Sequence, residues 1–375
     1  MSGINLFVPT FRVDETLNEI RECLEKGWTG FGFKTLDFEN AWRAYTGLPH
    51  AHFVSSATAG LHLAIRLLKT QYDWSDGDEI ITTPLTFVSS NHAILYERLT
   101  PVFADVDQYL CLDPESVESR ITERTRAVLF VGLGGTTGQL PRIAEICRAR
   151  GIRLILDAAH MAGTRWKDGR HVGAEGDATV FSYHAVKNLP TADSGMICLP
   201  AAELDARART LSWMGITKDT FSRTSAPGSY KWQYDVVEVG FKYHGNSVMA
   251  AIALVALRYL DSDNAWRRQL AAWYTERLAG VAPVELIPMP EESESSRHLY
   301  QIRSARRDQL LTALEKAGIA AGVHYADNTH YRMYSHATGT CPNAAQASAQ
   351  LLSLPMHMRL TREDVDRVCD VIAAF

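Results

Sequence analysis

From residue 50 onward the chain alternates short β-rich runs with amphipathic helical ones, and that alternation leaves few folds open. AHFVSS, starting at Ala51, reads as a strand, and TAGLHLAIRLLK from Thr58 carries leucine and isoleucine at helical spacing on one face. DEIITTP, FVSSNHAILYER and TPVFADV repeat the pattern as strand, helix and strand. RAVLFVGL, a helix over LPRIAEICRARG that stops at Gly151, then RLILDAAH and DATVFSYH extend it. Strand and helix in this order predict an α/β fold with a mostly parallel sheet and helices on both faces. Ligands on such sheets sit beyond the carboxyl ends of the strands.

Near residue 247 the texture changes. SVMAAIALVALRYLDSDNAWRRQLAAWYTERL predicts a long helical region with a bend around Asp261 to Asn264, its first apolar stretch suited to a core or a subunit interface. Beyond residue 280, strand-like and helical segments alternate up to TREDVDRVCDVIAAF, where Thr361 is a candidate N-cap before acidic first-turn residues. The expected organisation is a large domain over 1–246, opening with a helical segment 1–49, and a smaller α+β domain over 247–375. A chain of 375 residues suits that division.

Composition removes several functions. A net charge of -5 gives no basic face for nucleic acid, and no run reaches the roughly 18 apolar residues of a membrane span. The N-terminus, MSGINLFVPTFRVDE, has no basic segment followed by an apolar stretch, so a cytoplasmic protein is expected. The 6 cysteines form no C-x-x-C pair and the 13 histidines no H-E-x-x-H motif, so no metal site is expected. No G-x-G-x-x-G follows the first strand, which argues against a nicotinamide-dependent dehydrogenase.

Three strand ends carry candidate chemistry. SSATAG opens a helix with small and hydroxyl residues; free N–H groups there bind phosphate, with the Thr58 hydroxyl as an addition, or the stretch is only an N-cap. RLILDAAH ends in Asp157, readable as a helix cap, a metal ligand or the partner of a buried cation. DATVFSY ends near Ser182, and Lys187 follows in HAVKN. A lysine at the mouth of a sheet forms a Schiff base with a carbonyl once its pKa is lowered. Together the three groups match the needs of pyridoxal phosphate: a phosphate anchor, an anion for the pyridine nitrogen and an amine for the aldehyde.

These motifs, with GWTGFGFKTLDFENAWRAYTG before them and LLSLPMHMRLTREDV after them, resemble the DegT/DnrJ/EryC1/StrS sugar aminotransferases, a family of fold-type I pyridoxal-phosphate enzymes. The resemblance implies that Lys187 is the Schiff-base lysine and the acid and base of proton transfer. It pairs Asp157 with the pyridine nitrogen, puts His160 near the phenolic oxygen, and makes Ser182, Thr58 and Ala59 phosphate ligands. Phe87 in TPLTFVSSN takes the aromatic position over the ring face, against the alternative of a core phenylalanine. A homodimer with shared sites is implied, in which Lys242 or Asn246 of VGFKYHGNSVM reaches the neighbouring cofactor. His324 and His330 of GVHYADNTHYRMY take substrate-side positions.

Departures from the family pattern bear on the substrate. VGLGGTTGQLP puts Gly132 and Gly134 where relatives commonly have bulkier histidine and tyrosine, which either widens the pocket or loosens a turn. PTADSG, with Asp193 and Ser194, stands where many members have a glutamate and paired glycines. The implied reaction moves an amino group from L-glutamate to a nucleotide-linked 3-keto or 4-keto deoxysugar, with a keto-cyclitol as the alternative acceptor. A sugar dehydratase of the same family would lack Lys187 or add a cysteine-held cluster. A non-catalytic cofactor-binding protein on this fold is a further alternative, against which Lys187 and Asp157 together argue.

Overall fold

The computed structural model describes residues 3–217 and 234–375. Its main sheet has 7 strands: β1 (His50–Val54), β2 (Glu79–Thr82), β3 (Thr100–Phe103), β4 (Thr125–Val131), β5 (Arg153–Asp157), and, after the two-residue β6 (Arg165–Trp166), β7 (Ala178–Ser182) and β8 (Gly195–Leu199). Their order is β1-β8-β7-β5-β4-β2-β3. The bonds among β3, β2, β4, β5 and β7 are parallel, whereas β8 runs antiparallel to both neighbours, β1 and β7. The sheet is therefore mostly parallel, as the alternating pattern predicts. The strand GMICL, which the pattern reading did not single out, is the antiparallel insertion.

The strands are apolar on both faces because both faces are covered. In β4, Val128 and Phe130 join one core with Phe38, Trp42 and Phe181, while Ala127, Leu129 and Val131 join the other with Leu61, Ile65, Ile80 and Ile197. This two-residue alternation between two buried layers is what a parallel sheet with helices on each side requires.

The long helical region is one helix, Ser247–Leu278, of 32 residues, with no break at Asp261 to Asn264. Its first half places Ala250, Ala253 and Leu260 in the sheet's core. Its second half gives Leu270, Ala271, Tyr274 and Leu278 to a separate core with Ile302, Leu352, Leu354 and Val368. That second core covers an antiparallel sheet of β9 (Glu285–Leu286), β11 (Tyr300–Arg303) and β12 (Leu351–Leu354), while β10 (Ser293–Glu294) pairs back onto β6. Thr361 caps the last helix, Arg362–Ala373, accepting from Asp364 N.

The N-terminal segment is helical over Val13–Glu25 and Phe33–Thr46, but its beginning is not. Ile4 donates to Gly318 O at 2.8 Å and accepts from Ala320 N at 2.8 Å, which ties the start of the chain to its C-terminal part. Among the described residues no helix is long and apolar enough to cross a membrane.

β8 matters because of what it leans on. A Cβ on Gly195 would lie 2.7 Å from Ala57 N, 2.8 Å from Phe181 O and 2.9 Å from Ser56 C, all backbone atoms that cannot swing aside. We expect Gly195→Ala to cost roughly 1–3 kcal/mol through forced backbone shifts, read as a lower Tm in a thermal melt. An unchanged Tm would show that the turn at Ser56 yields freely.

Candidate active site

A cavity of about 480 Å³ opens where the parallel strands end. Ser56, Ala57 and Thr58 follow β1, Thr86, Phe87, Ser89 and Ser90 follow β2, Val131 closes β4, Asp157 closes β5, and Ser182 closes β7. Lys187 lies in the same wall, and His324 and Tyr325 come from the C-terminal part. The topology thus brings together residues more than a hundred positions apart.

Helix Ala57–Gln71 begins at the cavity with Ser56 as N-cap, whose Oγ accepts from Ala59 N at 3.1 Å. Ser56 O takes the Gly60 amide at 3.1 Å. The first amides of a helix have no intrahelical acceptor, so those of Ala57 and Thr58 are the ones left to meet an anion. The stretch is a helix cap, and the cap opens on the cavity. Thr58 lines the cavity, whereas Ala59 is buried with its amide directed to Ser56.

Asp157 is 4% exposed. Burial raises its pKa, and three groups oppose that: the Ser90 hydroxyl donating to Oδ2 at 2.7 Å, the Ala159 amide donating to Oδ1 at 3.1 Å, and the charge of Lys187. Ser90 is itself fixed by Thr86 Oγ1 at 3.0 Å. Burial lowers the pKa of Lys187 to about 8, against the pull of Asp157. The lysine backbone is held by a tight turn in which its N–H donates to His184 O at 2.9 Å, and the loop is closed by Thr191 N to Tyr183 O at 2.8 Å and Tyr183 N to Ser194 O at 2.9 Å.

His160 is buried, and its ring state follows from its contacts. The Gly134 amide donates to Nδ1 at 3.1 Å, so the hydrogen sits on Nε2, which faces the Tyr325 hydroxyl at 3.3 Å. Desolvation, with the charges of Lys187 and His324, holds its pKa well below the ordinary value. It is therefore a neutral hydrogen-bond donor. His298 packs on it with ring centroids 4.3 Å apart.

The remaining sequence candidates divide. Phe87 is 57% exposed at the cavity rim, 5.9 Å ring to ring from Tyr325. Ser182 lines the floor. His324 lines the cavity with Nδ1 bonded to Ser353 Oγ at 2.9 Å, and its pKa is lowered to about 4 by burial. His330 is exposed in a short 3-10 turn and does not line this cavity. Lys242 lies outside it too, its ammonium 3.3 Å from the centre of the Trp213 ring. Asn246 is the N-cap of the long helix, its side-chain oxygen accepting from Met249 N at 2.9 Å, which leaves only its amide nitrogen as a donor.

Sequence reasoning missed Ser90, Tyr325 and His298. The hydroxyl pair in FVSSN is a visible signal for Ser90, but which serine turns toward Asp157 is set by the helix it starts. Gly132 does not widen the cavity: the volume a side chain would take is filled by Met161, whose Sδ would be 2.1 Å from a Cβ there. Gly134 adopts φ 67° and supplies the amide that fixes His160.

The arrangement fits pyridoxal phosphate: open helix amides with Thr58 and Ser182 for the phosphate, a buried carboxylate for the ring nitrogen, a fixed N–H for the phenolic oxygen, and an amine with a lowered pKa for the aldehyde. Comparison with known proteins points the same way. Residues 12–373 match the family described as DegT/DnrJ/EryC1/StrS aminotransferases. The aminotransferase TlmJ from Streptoalloteichus hindustanus superposes with a TM-score of 0.90 at 33% identity, covering 99% of this chain and 98% of that one. The sugar aminotransferase CalS13 from Micromonospora echinospora gives 0.90 at 28% identity, covering 99% of each. Spr1654 from Streptococcus pneumoniae, solved in a PLP form and a PMP form, gives 0.90 at 28% identity for the PLP form, covering 99% and 98%.

Two outcomes follow for the apoprotein. Only the neutral amine attacks an aldehyde, and its fraction rises with pH, so the rate of pyridoxal phosphate capture should climb through about pH 8 instead of near the ordinary lysine value. Stopped-flow absorbance across neutral to alkaline pH reads this, and a midpoint at the ordinary value would mean Lys187 is solvated. Ser90→Ala removes a bond to a buried carboxylate and should weaken cofactor retention by roughly 1.5–3 kcal/mol, read by equilibrium dialysis.

Proposed function

The chain belongs to the DegT/DnrJ/EryC1/StrS aminotransferase family and is a pyridoxal-phosphate-dependent aminotransferase acting on sugars; from that premise we propose that it moves an amino group from L-glutamate to a nucleotide-linked 3-keto or 4-keto deoxysugar. The observation that carries the chemical part is the pairing of Lys187 with buried Asp157 in one cavity.

When bound, pyridoxal phosphate supplies the electron sink for the charge left as the donor loses its α-proton. Lys187 Nζ, with its pKa lowered to about 8, accepts that proton and returns it near neutral pH, because an acid–base group works best when its pKa lies close to the working pH. Asp157 holds a proton on the ring nitrogen, its carboxylate oriented by Ser90 and Ala159. With Gly134 on Nδ1, His160 carries its hydrogen on Nε2, which faces the Tyr325 hydroxyl at 3.3 Å and would be the donor available to the phenolic oxygen of the bound cofactor. Thr58, Ser182 and the open helix amides would anchor the phosphate, and Phe87 at the rim would cover the ring face. His324 contributes an uncharged imidazole on the substrate side.

We further propose a homodimer in which Lys242 reaches the partner's phosphate as a point charge, with the Asn246 amide as the alternative donor. Trp213 supports this for Lys242 by holding the ammonium on an exposed surface outside its own cavity. A cytoplasmic location accords with cysteines that are all buried and free.

The test begins by converting the holoenzyme to its amino form with L-glutamate, then screening keto-sugars and keto-cyclitols for return of the lysine-bound absorption. Lys187→Ala should lose that absorption and turnover together. Near-normal transamination in the variant, or no conversion of the wild type by any amino donor, would sink the reading.

A further inference from the structure

Asn188, the residue after Lys187, is tied down through both polar atoms of its side chain. Its Nδ2 donates to Asn264 Oδ1 at 2.7 Å and to Ser296 O at 2.8 Å, and its Oδ1 faces His298 Nδ1 at 2.9 Å. The polarity of this chain is fixed. A carbonyl only accepts, so Ala162 O, 2.9 Å from Asn264 Nδ2, and Ser296 O set which way the two amides point. Asn188 Oδ1 therefore receives, and His298 carries its hydrogen on Nδ1. Burial, with the neighbouring charges of His160 and Lys187, holds the His298 pKa well below the ordinary value, so the ring stays neutral.

His298 meets the other half of the site with its remaining parts. Its ring lies on His160, centroids 4.3 Å apart, and Phe7 stacks on it at 5.9 Å and 5°. Its backbone N–H donates to Gly134 O at 3.0 Å, and the amide of the same Gly134 donates to His160 Nδ1 at 3.1 Å. Two residues earlier, Ser296 Oγ donates to His160 O at 2.7 Å. Both His298 and Asn188 are buried, so a bond lost between them leaves a polar atom without water to replace it.

Resting on the cofactor placement proposed above, we infer that His298 is a positioning residue for two groups at once: through Asn188 it aims the Lys187 amine, and through its ring and Gly134 it holds His160 with the hydrogen on Nε2. Fixing the Cα of Asn188 leaves Lys187, about 3.8 Å away along the backbone, little room to swing. The amine and the imidazole follow different strands, and a single neutral ring ties them without adding charge beside an amine whose pKa burial already lowers. Phenylalanine lacks the donor and asparagine lacks the ring, so the two roles separate by substitution.

The experiment uses the full-length chain as His298→Phe, His298→Asn and Asn188→Ala, with two readouts that need no turnover. Phenylalanine keeps a ring over His160 and loses the donor; asparagine keeps an amide N–H near the place of Nδ1–H and loses the ring. Stopped-flow absorbance of the apoprotein gives the rate at which Lys187 captures pyridoxal phosphate, and titration of the holoenzyme gives the pH at which the lysine-bound absorption changes. His298→Phe and Asn188→Ala should each slow capture roughly tenfold, the double variant little more than either, with the spectral midpoint in place. His298→Asn should capture at close to the wild-type rate while its midpoint rises by roughly one pH unit, because a hydrogen bond favours the anionic phenolic oxygen and a loosened His160 gives that bond up. Unchanged capture in His298→Phe and Asn188→Ala, an unmoved midpoint in His298→Asn, both readouts moving together in all three, or variants that circular dichroism shows unfolded would overturn the assignment in favour of packing alone. Failure of the wild type to react with L-glutamate would instead count against amino transfer, which neither readout requires.

Discussion

The buried carboxylate of Asp157 is the charge around which the cavity is arranged. Taking a carboxylate out of water is costly unless hydrogen bonds and an opposite charge offset it. Ser90 and Ala159 supply the bonds, and Lys187 supplies the charge. The same low-dielectric walls push the two groups toward each other in pKa, one up and the other down to about 8.

That arrangement depends on the sheet. Asp157, Ser182 and the start of helix Ala57–Gln71 belong to strands that end at one edge, so their polar ends converge while their apolar bodies fill two cores. β8 is the exception that closes the site. By running antiparallel between β7 and β1 it returns the chain past Lys187 and brings Gly195 against the turn at Ser56. The lysine loop and the turn at Ser56 are thereby braced by one strand.

Much of this is legible in the sequence because burial on both faces leaves a strong mark. Runs such as RLILD and ATVFS are too apolar for an exposed strand, and the polar residue that ends each one stands out. GMICL was not singled out because a five-residue strand after an irregular loop has no helix to frame it. Tyr325 and His298 escape for another reason: their role depends on the C-terminal part folding back over the sheet. The glycine at 132 shows the limit of reading residue size as pocket size, since Met161 from the next strand turn takes the vacated volume.

The sequence by itself determined the parallel architecture and the cofactor chemistry, and it singled out Lys187 and Asp157 as the candidates to serve that cofactor. Each of these rests on a local signal, either a period of apolar residues or a reactive side chain at the end of an apolar run. Only the tertiary structure decided which hydroxyl holds Asp157 and which nitrogen of His160 carries the hydrogen. Those facts are set by atoms brought within about 3 Å from distant parts of the chain, a geometry to which hydrogen bonds are acutely sensitive and sequence spacing is blind.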